Sequence, residues 1–202
     1  MKFVILGYIV FDHKLTFKAH IDYAVSKAFR KLYFIQRKAK GFKNVQSMVV
    51  LYNSLVLLIM LYASPVWRPY FQTDLRKFDK VQHFFFRIAA IKEGRPVLWC
   101  DHDFSGIAER LGVNSVDSKF DYFDLMFLFK IINNFFDSPS LLSCVNFHVA
   151  MRFTRNNRLF HIPISMRNWM DRSVIMSRIR RIGKNILLML IFSICLFPLL
   201  NN

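Results

Sequence analysis

Residues 19–40, AHIDYAVSKAFRKLYFIQRKAK, decide the fold. Ile21, Ala24, Val25, Ala28, Leu32 and Ile35 recur at spacings of three and four, which puts them on one side of a helix. Lys27, Arg30, Lys31, Arg37 and Lys38 fall on the opposite side at roughly 100° per residue. A basic amphipathic helix of this kind suits a phosphate backbone, an anionic lipid surface or plain water, with its apolar stripe against a core.

On the N-terminal side, Phe3–Phe11 (FVILGYIVF) is β-branched and aromatic and stops at Asp12-His13-Lys14. It reads as a strand, with Gly7 marking a bulge or a close backbone approach. On the C-terminal side, residues 44–67 hold no charged side chain. Within them Met48–Ala63 is apolar enough to be a membrane-span candidate, but Tyr52, Asn53 and Ser54 interrupt it and the unbroken run Leu55–Leu61 is short. A helix buried on most sides of a bundle accounts for it better. Pro65 and Pro69 then bracket a loop, and Asp74 opens a second amphipathic helix with Leu75, Phe78, Val81, Phe85 and Ile88 inside. Ser105 is a cap for Gly106–Leu111, with Gly112 as its stop. Ser115 or Asp117 caps a run from Lys119 to Phe135 whose inner stripe is Phe120, Phe123, Phe127 and Ile131. Asp137-Ser138-Pro139-Ser140 is a turn, and Val145, Phe147 and Val149 alternate as in a short strand. The fold class is therefore mainly α: a short N-terminal strand, a helical bundle and an irregular basic tail.

Composition narrows the classes of function. The 202 residues include 29 Lys+Arg against 13 Asp+Glu, for a net charge of +16, yet 54% are hydrophobic and 23 are Phe. That is too apolar for a disordered basic tail and too varied for a low-complexity chain. Three widely spaced cysteines form neither a disulfide framework nor a zinc set, which favours a reducing compartment. The charge is concentrated at both ends. Residues 1–45 hold ten basic and two acidic side chains, residues 46–150 ten of each, and residues 151–202 nine and one. Two basic surfaces on a neutral scaffold face a polyanion. In the C-terminal block Arg152, Arg155 and Arg158 begin a series of arginines that runs to Arg181, and arginine favours bidentate phosphate contact. The final apolar run, Ile186–Leu200, is short for a span.

Catalytic signatures are missing from the sequence. It contains no glycine-rich phosphate loop, no G-x-S-x-G and no H-E-x-x-H. Cys100-Asp101-His102-Asp103 gathers metal-capable side chains but has no second pair at zinc spacing, so a surface loop fits it better. The carboxylates form no adjacent pair of the sort that two-metal phosphoryl transfer needs.

The order of short blocks adds a resemblance. Leu6-Gly7, followed by Phe11-Asp12-His13-Lys14-Leu15-Thr16-Phe17-Lys18-Ala19-His20-Ile21, resembles the LG…FD-x-x-LTF-x-x-HI stretch of non-LTR retrotransposon reverse transcriptases, the jockey-like group especially. Leu51-Tyr52-Asn53-Ser54-Leu55-Val56, Tyr62-Ala63-Ser64-Pro65-Val66-Trp67, Val81-Gln82 with Phe86-Arg87, and Arg110-Leu111-Gly112 look like later blocks of that family in the same order. Phe127–Asn133 and Arg155–Phe160 continue the series, so the likeness runs collinearly over residues 5–185.

The resemblance implies a primer-grip-like strand at Leu6 and Gly7 within residues 1–17 and thumb-like helices over 18–92. It further implies a helical segment with a short strand over 93–150 and a basic tail over 151–202. It places Met1 where the catalytic palm of such RNA-directed DNA polymerases ends, and no Phe/Tyr-x-Asp-Asp turn occurs in the sequence. The expectation is a truncated, palm-less fragment with no catalytic residues, no metal and no cofactor of its own, since the family's Mg²⁺ belongs to the palm. Its partner would be an RNA or DNA template-primer held without sequence specificity by Lys27, Arg30, Lys31, Arg37, Lys38, Arg152, Arg155 and Arg158. The alternative is a small basic membrane-associated protein anchored by residues 45–66 and 186–200.

Overall fold

The protein is described by a computed structural model covering residues 3–6, 8–38, 41–42, 44–94, 104–143 and 178. The chain divides into two compact units, Met1–Phe120 and Asp121–Asn202. Helices dominate the described residues.

The opening apolar run is folded in half. Strand β1 (Phe3–Leu6) pairs antiparallel with β2 (Ile9–Asp12) in the register Leu6↔Ile9 to Phe3↔Asp12. A single strand over Phe3–Phe11 was the expectation, and a two-stranded ribbon takes its place. A Gly-containing dipeptide between two β-rich runs is the signal of a two-residue hairpin loop.

Helix α1 (Lys18–Lys38) follows, with Ile21, Ala24, Ala28, Leu32 and Ile35 buried, as its periodicity requires. It packs against β2, helix α5 (Gln72–Lys92) and the charge-free helix of residues 45–61. That helix comprises α2 (Val45–Leu51), a π-helical segment (Tyr52–Leu57) and α3 (Leu58–Leu61). Asn44 caps it through a bond from the Gln46 N–H to Oδ1 at 2.9 Å. Met48, Tyr52, Val56 and Met60 are all fully buried. A four-residue repeat drifts by about 40° per step round an α-helix, and the wider π winding turns the drift back. Ser54 supports the distortion, its Oγ donating to the carbonyls of Val50 (2.9 Å) and Leu51 (3.3 Å). Val50 and Leu58 are exposed, so one side faces the core rather than all of them. Among the described residues no helix is long and apolar enough to cross a membrane. The second proposed anchor, residues 186–200, lies outside the described residues.

The Tyr62–Trp67 block makes a sharp corner. Ala63 takes the left-handed conformation (φ 50°), which costs a non-glycine residue about 1–2 kcal/mol. Pro65 sits in the first turn of the short helix α4 (Ser64–Trp67). The corner delivers the Trp67 indole to the middle of the unit, where Nε1 donates to the Tyr62 carbonyl at 2.7 Å. Its ring meets His20 of α1 at 4.7 Å, Phe78 of α5 (Gln72–Lys92) at 5.8 Å and Phe120 at 5.9 Å. Phe78, Val81, Phe85 and Ile88 of α5 are buried as their spacing predicts, and Leu75 is half-buried. Tyr52 stacks on Phe85 with centroids 4.1 Å apart.

Helix α6 (Ser105–Leu111) and the start of α7 (Val116–Ile132) close the first unit. Ser105 is not the N-cap of α6: it is the first helical residue, and the N-cap position is Phe104, which makes no side-chain capping bond. Gly112 does stop it, in the left-handed region (φ 63°), with the Val113 N–H reaching back to the Ala108 carbonyl. The buried Gln82 amide donates to the Asn114 carbonyl at 2.8 Å, and Arg110 pairs with Glu93 at 3.0 Å. Ser115 is the cap of α7, its Oγ accepting from the Ser118 N–H.

In the second unit, α7 ends at Ile132 rather than Phe135, because Asn134 is left-handed (φ 55°) and the Phe135 N–H folds back to the Lys130 carbonyl. The inner stripe also differs from the aromatic one expected. Val116, Phe120, Asp124, Leu128 and Ile131 are buried, whereas Phe123 and Phe127 are only half-buried. Asp124 earns that position through a fork of bonds from Arg178, Nε to Oδ2 at 2.8 Å and Nη2 to Oδ1 at 3.1 Å. Arg178 is buried, so this member of the C-terminal arginine series is occupied within the fold and is not presented to phosphate. Pro139 and Ser140, expected in a turn, open the short helix α8 (Pro139–Ser143). The strand read at Val145, Phe147 and Val149 lies outside the described residues.

Two substitutions test this packing. Trp67→Ala should lower unfolding free energy by about 3–5 kcal/mol in urea titration. Asp124→Ala should cost about 3–5 kcal/mol by stranding the Arg178 charge, whereas the double change Asp124→Leu with Arg178→Met should recover most of that loss.

Candidate nucleic-acid interface

The FDHKLTFKAHI block mounts α1 on the hairpin. Between β2 and α1 the chain turns through Leu15 (φ 51°) and Phe17 (φ 56°), two non-glycine residues in the left-handed region. Asp12 holds this strained turn. Its Oδ1 accepts from the Phe17 N–H at 2.8 Å, its Oδ2 from the Thr16 hydroxyl at 2.7 Å, and its carbonyl from the Leu15 N–H at 2.9 Å. Burial alone would raise the Asp12 carboxyl, but the bonds from Thr16 and Phe17 outweigh it and hold the group below its ordinary value. One helical turn on, His20 is buried against Trp67, and its Nδ1 accepts from the Val10 N–H at 3.4 Å. That contact puts the neutral ring's proton on Nε2, which has no partner among the described residues. The polar residues of this block thus perform structural work, fixing the direction in which α1 leaves the hairpin.

The outer face of α1 carries the cations expected there. Arg30, Lys31, Arg37 and Lys38 are exposed and Lys27 is half-buried. Lys27 is held by rings, its Nζ lying 5.2 Å from the Tyr8 centroid and 5.6 Å from that of Tyr23. The Arg30 Nε donates to the Ser26 carbonyl at 3.4 Å, along the helix. Among the described residues no carboxylate offsets this face. The only acidic residue of α1, Asp22, is bound at 2.6 Å by Lys77 of α5, whose ammonium the Asp22 and Asp74 carboxylates push up from its ordinary value. Five cations on about three turns of helix therefore make a continuous positive strip.

The remaining expected residues are placed less fully. Leu6 ends β1, and Gly7, Arg152, Arg155 and Arg158 lie outside the described residues, as does the Cys100–Asp103 cluster. Among the described residues no group of His, Cys, Asp and Glu could hold a metal ion.

The structure adds side chains that the charge pattern did not single out. Tyr23 and Phe34 are 43% and 41% exposed on the same face as the cations. Tyr8, at the hairpin turn, is exposed beside them and meets the exposed Tyr62 edge-on at 5.9 Å. The spacing of Tyr23 and Phe34, eleven residues or three turns apart and off the apolar stripe, is the signal that could have found them.

No protein-family model, curated protein or solved structure matches this chain.

The buried His20 makes the mounting of α1 pH-sensitive. Burial lowers its imidazole below the ordinary 6.5, so the unfolded chain takes up a proton that the folded chain refuses. Stability is full above about pH 6.5 and is lost as pH falls towards the folded value. Urea midpoints measured at pH 7.5 and 5.5 should fall for the wild type, and His20→Phe should flatten that difference.

Proposed function

We propose that this chain binds the sugar–phosphate backbone of RNA or DNA without sequence specificity. It does so through α1, in the manner of the thumb of a non-LTR retrotransposon reverse transcriptase, and it carries no polymerase chemistry of its own. The observation that carries the reading is the outer face of α1, where Lys27, Arg30, Lys31, Arg37 and Lys38 stand together without a carboxylate among them. Such a strip gains affinity by releasing condensed counterions from phosphates, whatever the base sequence.

Two further points support it. Several residues in the reverse-transcriptase-like blocks help to hold the first unit together: Asp12 at the turn, His20 and Trp67 in the core, Gln82 on the Asn114 carbonyl and Gly112 at the end of α6. A scaffold held in common with a polymerase thumb would depend on such positions. The sequence also has no Phe/Tyr-x-Asp-Asp turn, so the carboxylate pair that anchors two metal ions in such polymerases is not encoded in it.

Salt dependence tests the reading. With five phosphates neutralised, log affinity for a labelled oligonucleotide should fall against log salt with a slope of about −3.5 on single strands or −4.5 on duplex. Replacing Arg30 and Lys31 by Ala should flatten the slope by roughly 1.5 and weaken all sequences alike. Binding that does not change with salt would overturn the proposal. In a template-primer assay with Mg²⁺ and nucleotides the chain should give no extension above blank, and robust synthesis would refute the absence of polymerase chemistry.

A further inference from the structure

The cations of α1 account for affinity to any polyanion, but they do not account for the rings set among them. A helix that only had to lie on phosphate would gain nothing from presenting Tyr23 and Phe34 to water. Eleven residues separate the two, so they stand on almost one line along the helix, about 16 Å apart. By the same geometry Arg30 and Arg37 flank that line on one side and Lys31 and Lys38 on the other. Lys27 is set between the Tyr8 and Tyr23 rings by contact with both, which keeps its charge next to an aromatic face.

This alternation has a definite chemical complement. Phosphates of a strand laid along α1 meet the flanking cations, and its bases meet the rings. A duplex keeps its bases stacked on one another and offers the rings nothing, whereas a single strand has free base faces that stack on Tyr or Phe with little regard to sequence. The separation of the rings corresponds to about five nucleotides at stacked spacing, within the site size of known single-strand binding surfaces. We infer that the outer face of α1 is a binding site for unpaired nucleic acid, in which Tyr23 and Phe34 are base-stacking platforms between phosphate-binding cations. This inference rests on the proposed nucleic-acid-binding function and names its substrate as single-stranded.

The full-length chain can be tested by fluorescence anisotropy against three probes of equal length: a labelled oligothymidine, its duplex with oligoadenine, and an abasic phosphodiester strand. The oligothymidine should bind about tenfold or more tightly than the abasic strand, since each ring–base stack contributes that order of affinity. It should also bind more tightly than the duplex. The Tyr23→Ala, Phe34→Ala double variant should lose this advantage while its binding of the abasic strand keeps the wild-type salt slope. Tyr23→Phe should retain the advantage. Both rings lie outside the core, and a wild-type urea midpoint for the variants confirms that the fold is intact. If oligothymidine and abasic strands bind the wild type equally and with steep salt dependence, the stacking site is refuted and the backbone-binding function stands. If none of the three probes binds, both are refuted.

Discussion

Trp67 is the side chain on which three helices of the first unit converge, and it reaches them because the chain accepts strain at Ala63. Without the left-handed corner, the helix of residues 45–61 would run on and carry the indole away from α1 and α5. With it, the ring lies beside His20, Phe78 and Phe120, and its N–H bonds back to the Tyr62 carbonyl. A buried aromatic of this size contributes more than the corner costs. His20 matters for the same reason, since it is part of the indole's wall and also the point at which the hairpin backbone is tied to α1.

The candidate interface follows from that arrangement. The Asp12 turn and the His20 contact fix where α1 leaves the hairpin, and the core takes up its apolar stripe. The opposite face is thereby committed to solvent, and the sequence has filled it with cations and with exposed rings, Tyr23, Tyr33 and Phe34. Tyr8 lies next to Lys27 because the hairpin turns back there, so the β-ribbon contributes to the same surface. The few acidic groups nearby are engaged elsewhere: Asp12 in its turn, and Asp22 and Asp74 with Lys77. Among the described residues the positive potential on α1 is left without an internal counterweight.

Polar residues in the core illustrate how misleading composition is when read singly. Asp124 is one of three aspartates in α7, yet it is buried with Arg178 in a forked ion pair. The pairing is between residues 54 apart, and no local pattern announces it. Arg178 in turn reads as one more phosphate-seeking arginine of a basic segment, and its charge is spent inside the fold. Tyr52 presents the same lesson with a neutral group. It looks like an interruption of an apolar run, and it stacks on Phe85 with its hydroxyl buried, which pushes the phenol well up from its ordinary value.

Periodicity by itself determined α1 and α5, because a 3.6-residue repeat of apolar side chains admits only one regular structure, and the long charge-free run determined the helical character of residues 45–61. It also determined that Lys27, Arg30, Lys31, Arg37 and Lys38 share a face, which is a matter of helix geometry and needs no partner. Helix ends fixed by a left-handed Gly112 or a Ser115 hydroxyl were equally legible, being local. The folding of the first strand into a hairpin, the early end of α7 at Asn134 and the buried Asp124 were not, since each depends on which of two competing local bonds the rest of the chain stabilises. Only the tertiary structure decided that Tyr23 and Phe34 are left in water while Phe78, Phe85 and Phe120 are not. A ring carries no mark of its side, and which rings are covered depends on which faces the neighbouring helices occupy.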